Sequence, residues 1–229
     1  MIKQATLMLL TVMASPLAFA LADKSDIISC YTYADVAELK PTHPIRDIVV
    51  LVDQTVNLDK NLKKSVHQQV QQLVSQGDRI RLVSFSANAK GRYTDITFDG
   101  EFDQPLTDEQ RNAMNRIKLN KFDKCMEVQG KKAIELVHKN LKASFHDSEQ
   151  HYPKTELIGS ILDVSSTIYA SNNAQRRIMF LVSDMLENSD ISSFYASGKI
   201  RSINADVEFK KYAATISSTA LSSVEVYII

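Results

Sequence analysis

Glycine and proline are scarce in this chain, 6 and 5 in 229 residues, and that excludes a collagen-like or low-complexity protein. Charge of one sign is not in excess either. Lys plus Arg and Asp plus Glu are 27 each, which gives no support to a nucleic-acid binder or a polybasic membrane binder. The two cysteines form no C-x-x-C and no Cys/His spacing, so a zinc module is not indicated. A Walker loop, a dinucleotide fingerprint and a Gly-x-Ser-x-Gly nucleophile elbow are all missing. What is present is an ordinary globular mixture, 44% hydrophobic and 24% charged, long enough for one large domain or one domain with an insertion.

The first residues point to export. Lys3 precedes an apolar run, Leu7 to Ala20, and small residues recur at Ala18, Ala20 and Ala22, the pattern of a cleaved signal peptide over 1–22. The run is short for a membrane span of roughly 20 residues, and Asp23-Lys24 closes it. No span is therefore expected after cleavage, and the mature chain is expected in the periplasm or outside the cell. Cleavage removes one Lys and no acid, leaving 26 basic against 27 acidic residues. Ile27-Ile-Ser-Cys30 looks like a lipoprotein box, but Asp23, Lys24 and Asp26 separate it from the apolar run, which argues against a lipid on Cys30. Two cysteines in an exported chain usually pair, so Cys30 and Cys125 are expected as a disulfide; two buried thiols are the alternative.

After an N-terminal segment, 23–44, the mature domain is expected over 45–229. Asp47–Val52 is near-continuously β-branched and aliphatic, as in a strand covered on both faces. Leu58, Leu62, Val66, Val70 and Leu73 then repeat at helical spacing. Arg79–Phe85 and Tyr93–Phe98 read as strands whose short connection, about 7 residues, demands an antiparallel pair. Residues 103–150 form an enlarged helical connection, with helices expected at 107–118 and 121–145 and one apolar stripe interrupted by Gly130. A buried helix starts at Thr155, and Arg177–Ser183 is a second two-sided strand. Residues 186–205 read as loop with a short helix, 206–216 as a weak helix and 224–229 as a last strand. The fold class is α/β: a Rossmann-like open sheet, mostly parallel with one antiparallel edge strand, and helices on both faces.

Both two-sided strands end in an acid, Asp53 directly and Asp184 through Ser183. In such sheets ligands bind beyond the carboxyl ends of strands where the strand order reverses. If the two strands are neighbours, the acids share one crevice with Thr55, Asn57 and Thr155. Carboxylate, hydroxyl and amide oxygens without His or Cys suit Mg²⁺, Mn²⁺ or Ca²⁺ better than zinc. Thr55 or Asn57 could equally cap the following helix.

Asp53-Gln-Thr-Val-Asn57, Thr155 and Ser183-Asp184, in that order, resemble the metal-ion-dependent adhesion site of von Willebrand factor A-like domains, and the resemblance covers about 45–229. It implies that Asp53 opens an Asp-x-Ser-x-Ser-type loop in which Thr55 and Asn57 replace the two serines. It further implies that Thr155 is the distant hydroxyl ligand and Asp184 the second carboxylate. Met185 stands where the family often has Gly, which leaves that turn less free. The implied cofactor is Mg²⁺ or Mn²⁺. The implied partner is a protein whose acidic side chain completes the metal shell, with binding and no turnover.

Two rivals stand beside it. One is a metal-free structural envelope component of the same fold. The other is an Asp53-nucleophile hydrolase of the haloacid-dehalogenase type, which would need a general acid where Thr55 stands. An EF-hand loop through Asp53, Thr55, Asn57 and Asp59 fails because Leu58 occupies the position that requires Gly. His43, His67, His138, His146 and His151 read as polar helix-face or loop residues.

Overall fold

The computed structural model describes residues 25–85, 94–145, 154–170, 173–213 and 221–229. The signal-like stretch 1–22, the expected turn at 88–91, and His146 and His151 lie outside them. The strands are β1 (Arg46–Asp53), β2 (Asp78–Phe85), β3 (Thr94–Glu101), β4 (Arg176–Val182), a minor hairpin of β5 (Tyr195–Ala196) and β6 (Lys199–Ile200), and β7 (Val224–Ile228). The helices are α1 (Cys30–Tyr33), α2 (Lys60–Leu73), α3 (Asp108–Ala113), α4 (Arg116–Ser144), α5 (Leu157–Val164) and α6 (Ala205–Tyr212).

An apolar run with no polar face cannot sit at a solvated edge, and β1 lies at the centre of a five-stranded sheet of order β3-β2-β1-β4-β7. β2 and β4 flank β1 in parallel, β7 continues in parallel beyond β4, and β3 is the antiparallel edge. The alternation of β1 sorts the two layers. Ile48, Val50 and Val52 pack with Val66 and Val70 of α2 and with Ala133, Val137 and Leu141 of α4. Val49 and Leu51 face the other way, onto Leu157 and Val164 of α5 and onto Ile168 and Tyr169. Each fully buried aliphatic side chain contributes roughly 1.5–3 kcal/mol relative to exposure, so a one-residue slip that exchanged the faces is strongly disfavoured.

Several boundaries differ from expectation. The break in the long connection falls at Met114-Asn115, because a capping box at Thr107 and Gln110 starts α3 and Asn115 caps a new helix at the Ile117 amide. α4 then runs unbroken through Gly130, where a Cβ would meet nothing within 4 Å. Asp59 caps α2 through the Asn61 and Leu62 amides, so neither Thr55 nor Asn57 serves as its cap. Leu62 points outward and is 46% exposed. α5 begins two residues after Thr155 and passes into a π turn, Ser165–Tyr169. Residues 186–205 hold the β5–β6 hairpin and no helix before α6, since Gly198 at φ 75° closes a tight turn.

The N-terminal segment docks on the start of α4. Cys30 and Cys125 form a disulfide, and Tyr31 meets Phe122 edge-on with ring centroids 4.9 Å apart. Buried Asp103 accepts from the Cys30 amide (2.5 Å), the Ser29 hydroxyl (3.1 Å) and Gln129 Nε2 (2.7 Å), which joins segment, sheet end and α4. Among the described residues no helix is long and apolar enough to cross a membrane.

Candidate functional site

The chain leaves β1 for β2 on one side, while β4 pairs with β1 on the other. The strand order therefore reverses between β1 and β4, and a crevice opens above their carboxyl ends. Asp53 closes β1 and is 2% exposed. Its Oδ1 accepts from the Thr55 amide (2.9 Å) and from Thr55 Oγ1 (2.6 Å). Its Oδ2 accepts from Ser183 Oγ (2.8 Å), the residue that follows β4. Burial pushes the Asp53 carboxyl above its ordinary value, the three hydrogen bonds pull it back, and the negative charge of Asp184 raises it again.

Thr155 joins this cluster from 100 residues away, its Oγ1 2.8 Å from Thr55 Oγ1. A hydroxyl has one proton to give, and Thr55 gives its proton to ionised Asp53, so Thr155 must be the donor to Thr55. The backbone of Thr155 is fixed by a two-way pair with Asn188 at 3.0 Å each way. Neighbouring Glu187, fully buried, accepts from the Ile158 amide (2.9 Å) and from Tyr212 Oη (3.0 Å), tying the loop after β4 to α5 and α6.

Asp184 is exposed at the rim, its Oδ1 accepting from the Leu186 amide at 3.0 Å. The turn is made by Met185 at φ 62°, a left-handed conformation that glycine adopts freely and a side chain resists. The Met185 amide, donated to Ser183 Oγ at 3.0 Å, helps to hold it there. Asn57 is exposed and makes no hydrogen bond to the other four residues. The structure thus brings Asp53, Thr55 and Thr155 into direct contact, sets Asp184 within electrostatic reach, and leaves Asn57 outside the network.

Three participants were not singled out by residue pattern. Ser183 was visible only as the link to Asp184, and Glu187 had no local signal because its burial depends on α5 and α6. Tyr195 stands in the field of both acids: burial, then Asp184 and Asp53, raise its phenol above the ordinary value. Among the described residues, no three His, Cys, Asp or Glu side chains converge as a metal cluster, so an ion here would depend on hydroxyl oxygens.

No family model and no curated protein matches the chain. Among solved structures, a similar chain is the pilus adhesin SpaC from Lactobacillus rhamnosus GG in an open conformation, 16% identical. The match covers 72% of this chain and 18% of that one, with a TM-score of 0.37. The chain thus spans less than a fifth of the adhesin's length, and a likeness at that score bears on neither fold nor function.

Proposed function

We propose that this is an exported, von Willebrand factor A-like binding protein that engages a protein partner through a divalent cation held by Asp53, Thr55, Thr155 and Asp184. One observation carries the reading: an acid and three hydroxyls, Thr55, Thr155 and Ser183, from three separate places in the chain meet at the reversal of strand order, with the second acid beside them. The two hydroxyl oxygens of Thr55 and Thr155, hydrogen-bonded at 2.8 Å, each keep a lone pair that a hard cation such as Mg²⁺ or Mn²⁺ could use. The ion, when bound, would supply a positive charge to which a partner's carboxylate can attach. Asp53 and Asp184 offset part of that charge, and the hydroxyls orient the shell. Export is supported by the signal-like stretch 1–22 and by the Cys30–Cys125 disulfide.

Binding without turnover fits Asp53 better than nucleophilic chemistry does, since both of its oxygens are engaged and it is 2% exposed. A second reading, the metal-free structural component, is favoured by the same network: three donors already satisfy the Asp53 carboxylate without an ion. Thermal melts separate the two. Mg²⁺ or Mn²⁺ is expected to stabilise the wild-type protein and to leave Asp53→Ala unmoved. If neither ion changes the wild-type melt, and partner capture survives chelator, the metal reading fails.

A further inference from the structure

The even charge count of the whole chain hides an uneven distribution. α4 carries eight basic residues and three acids, Asp123, Glu127 and Glu135. Asp123 is taken by Arg111, and Asp35 answers Lys118 through its carbonyl and Lys121 through its carboxylate. Lys124, Lys131, Lys132 and Lys139 are exposed, and their ammonium groups form no ion pair among the described residues. Beside them, between the N-terminal segment and α4, lies an apolar cleft of about 360 Å³. Ile28, Tyr33, Val128 and Leu136 line it together with Lys124 and Lys132. Ile28 is 78% exposed and Tyr33 59%, yet neither can fold away, since the disulfide at Cys30 and the Gln129 Nε2 bond to the Ile28 carbonyl (2.9 Å) fix the segment. We propose that this face rests on an anionic bilayer, with the lysines against lipid phosphates and the four apolar side chains in the boundary between headgroups and acyl chains.

Charge complementarity selects the occupant. The exposed cations from Lys121 to Lys139 extend along about 27 Å of helix, a row that an extended array of anions can meet at every point. An acidic segment of a protein partner would be held better by the planar fork of Arg, and the cations of α4 are all lysines apart from Arg116 at its start. Lysine near an anionic membrane contributes about fivefold in affinity for each residue. Glu127 and Glu135 are exposed on the same helix and subtract from that attraction, as does Asp26 at the cleft, whose carboxylate accepts from the Asp99 amide at 2.9 Å. The apolar side chains supply the remainder, in the manner of interfacial amphipathic helices, and a half-exposed tyrosine suits the headgroup level. None of these residues belongs to the candidate cation site, so the proposal stands apart from it.

The test is co-sedimentation with phosphatidylcholine vesicles, with and without phosphatidylglycerol, in the presence of chelator. It uses the mature form expected after cleavage at Ala22, which holds every described residue and lacks the apolar run of the leader. Binding is expected only to the vesicles with phosphatidylglycerol, and it should weaken as salt rises and screening shortens. Lys124→Ala with Lys132→Ala should bind about thirtyfold more weakly. Ile28→Ser should bind about tenfold more weakly and keep the salt dependence. All three side chains are exposed, so the melts of these variants should match the wild type. Asp53→Ala should bind vesicles like the wild type, which keeps this face separate from the cation site. Equal binding to the two kinds of vesicle, or binding untouched by the lysine pair, would overturn the proposal. Soluble polyglutamate that binds while the vesicles do not would also overturn it, and would assign the face to an acidic protein.

Discussion

Thr155→Val separates a ligand from a mere neighbour, because it keeps the branched shape and removes only the hydroxyl. Without metal, the change deletes one donor into Thr55 Oγ1 and leaves the three hydrogen bonds to Asp53 in place. The loss should be that of one hydrogen bond, about 0.5–1.5 kcal/mol, a fall in melting temperature of about 1–6 °C for a domain of this size. With cation at 100 times its dissociation constant the wild-type protein gains about 2.7 kcal/mol, or about 5–11 °C. Losing one oxygen from the site is expected to weaken affinity on the scale of shell defects, about 10–100-fold. At the same cation concentration the variant then gains only about 0.4–1.4 kcal/mol, roughly 1–6 °C. The assay is a melt with and without Mg²⁺ or Mn²⁺ on both proteins, followed by calorimetric titration. A variant that keeps the whole metal-induced shift would refute Thr155 as a ligand. A metal-free loss well above 1.5 kcal/mol would show that the hydroxyl network has a larger structural role than the hydrogen-bond count allows.

The same cation effect should fade on acidification, because the proton and the metal compete for Asp53. Its folded pKa is raised, so fading begins at a pH above the ordinary carboxylate value of 3.8, and Mg²⁺ titrations from pH 7 down to 4 would reveal it. A raised folded pKa also means that, without metal, the Asp53 contribution to stability is fullest below the unfolded pKa and is lost as pH rises through the folded one. At the opposite end of the sheet, buried Asp47 accepts from Arg81 Nη1 at 2.6 and 2.5 Å. Arg81→Met should cost about 3–5 kcal/mol by denaturant titration, and adding Asp47→Asn should recover part of it. Reducing the Cys30–Cys125 bond, which joins residues 95 apart, should cost up to about 4.7 kcal/mol from loop-closure entropy, read as a melt with and without reductant. Met185→Gly relieves a left-handed side chain of about 1–2 kcal/mol of strain while loosening the unfolded chain, so the net should lie between neutral and about 1 kcal/mol stabilising.

Local chemistry made much of the architecture legible. An apolar run such as Ile48–Val52 can satisfy itself only between two layers, and the short link from Phe85 to Thr94 leaves no room for a crossover helix. Helix ends were less legible. The break at Met114-Asn115 depends on which of several polar residues caps, and Gly130 is tolerated because nothing crowds it. The β5–β6 hairpin escaped notice because its strands are two residues each, too short to show alternation.

The residue order by itself determined the composition of the candidate site: two acids at strand ends, hydroxyls nearby, and no soft ligand. It could not determine which of them touch. Ser183 reaches Asp53 because β4 pairs with β1, and Thr155 reaches Thr55 because Asn188 and Glu187 hold it from the far side of the loop after β4. Asn57, by spacing as good a candidate as Thr55, faces solvent. Spacing along a chain sets which groups are available, whereas a hydrogen bond or a shared ion depends on separations of about 3 Å that only the packing of sheet, helices and loops can impose.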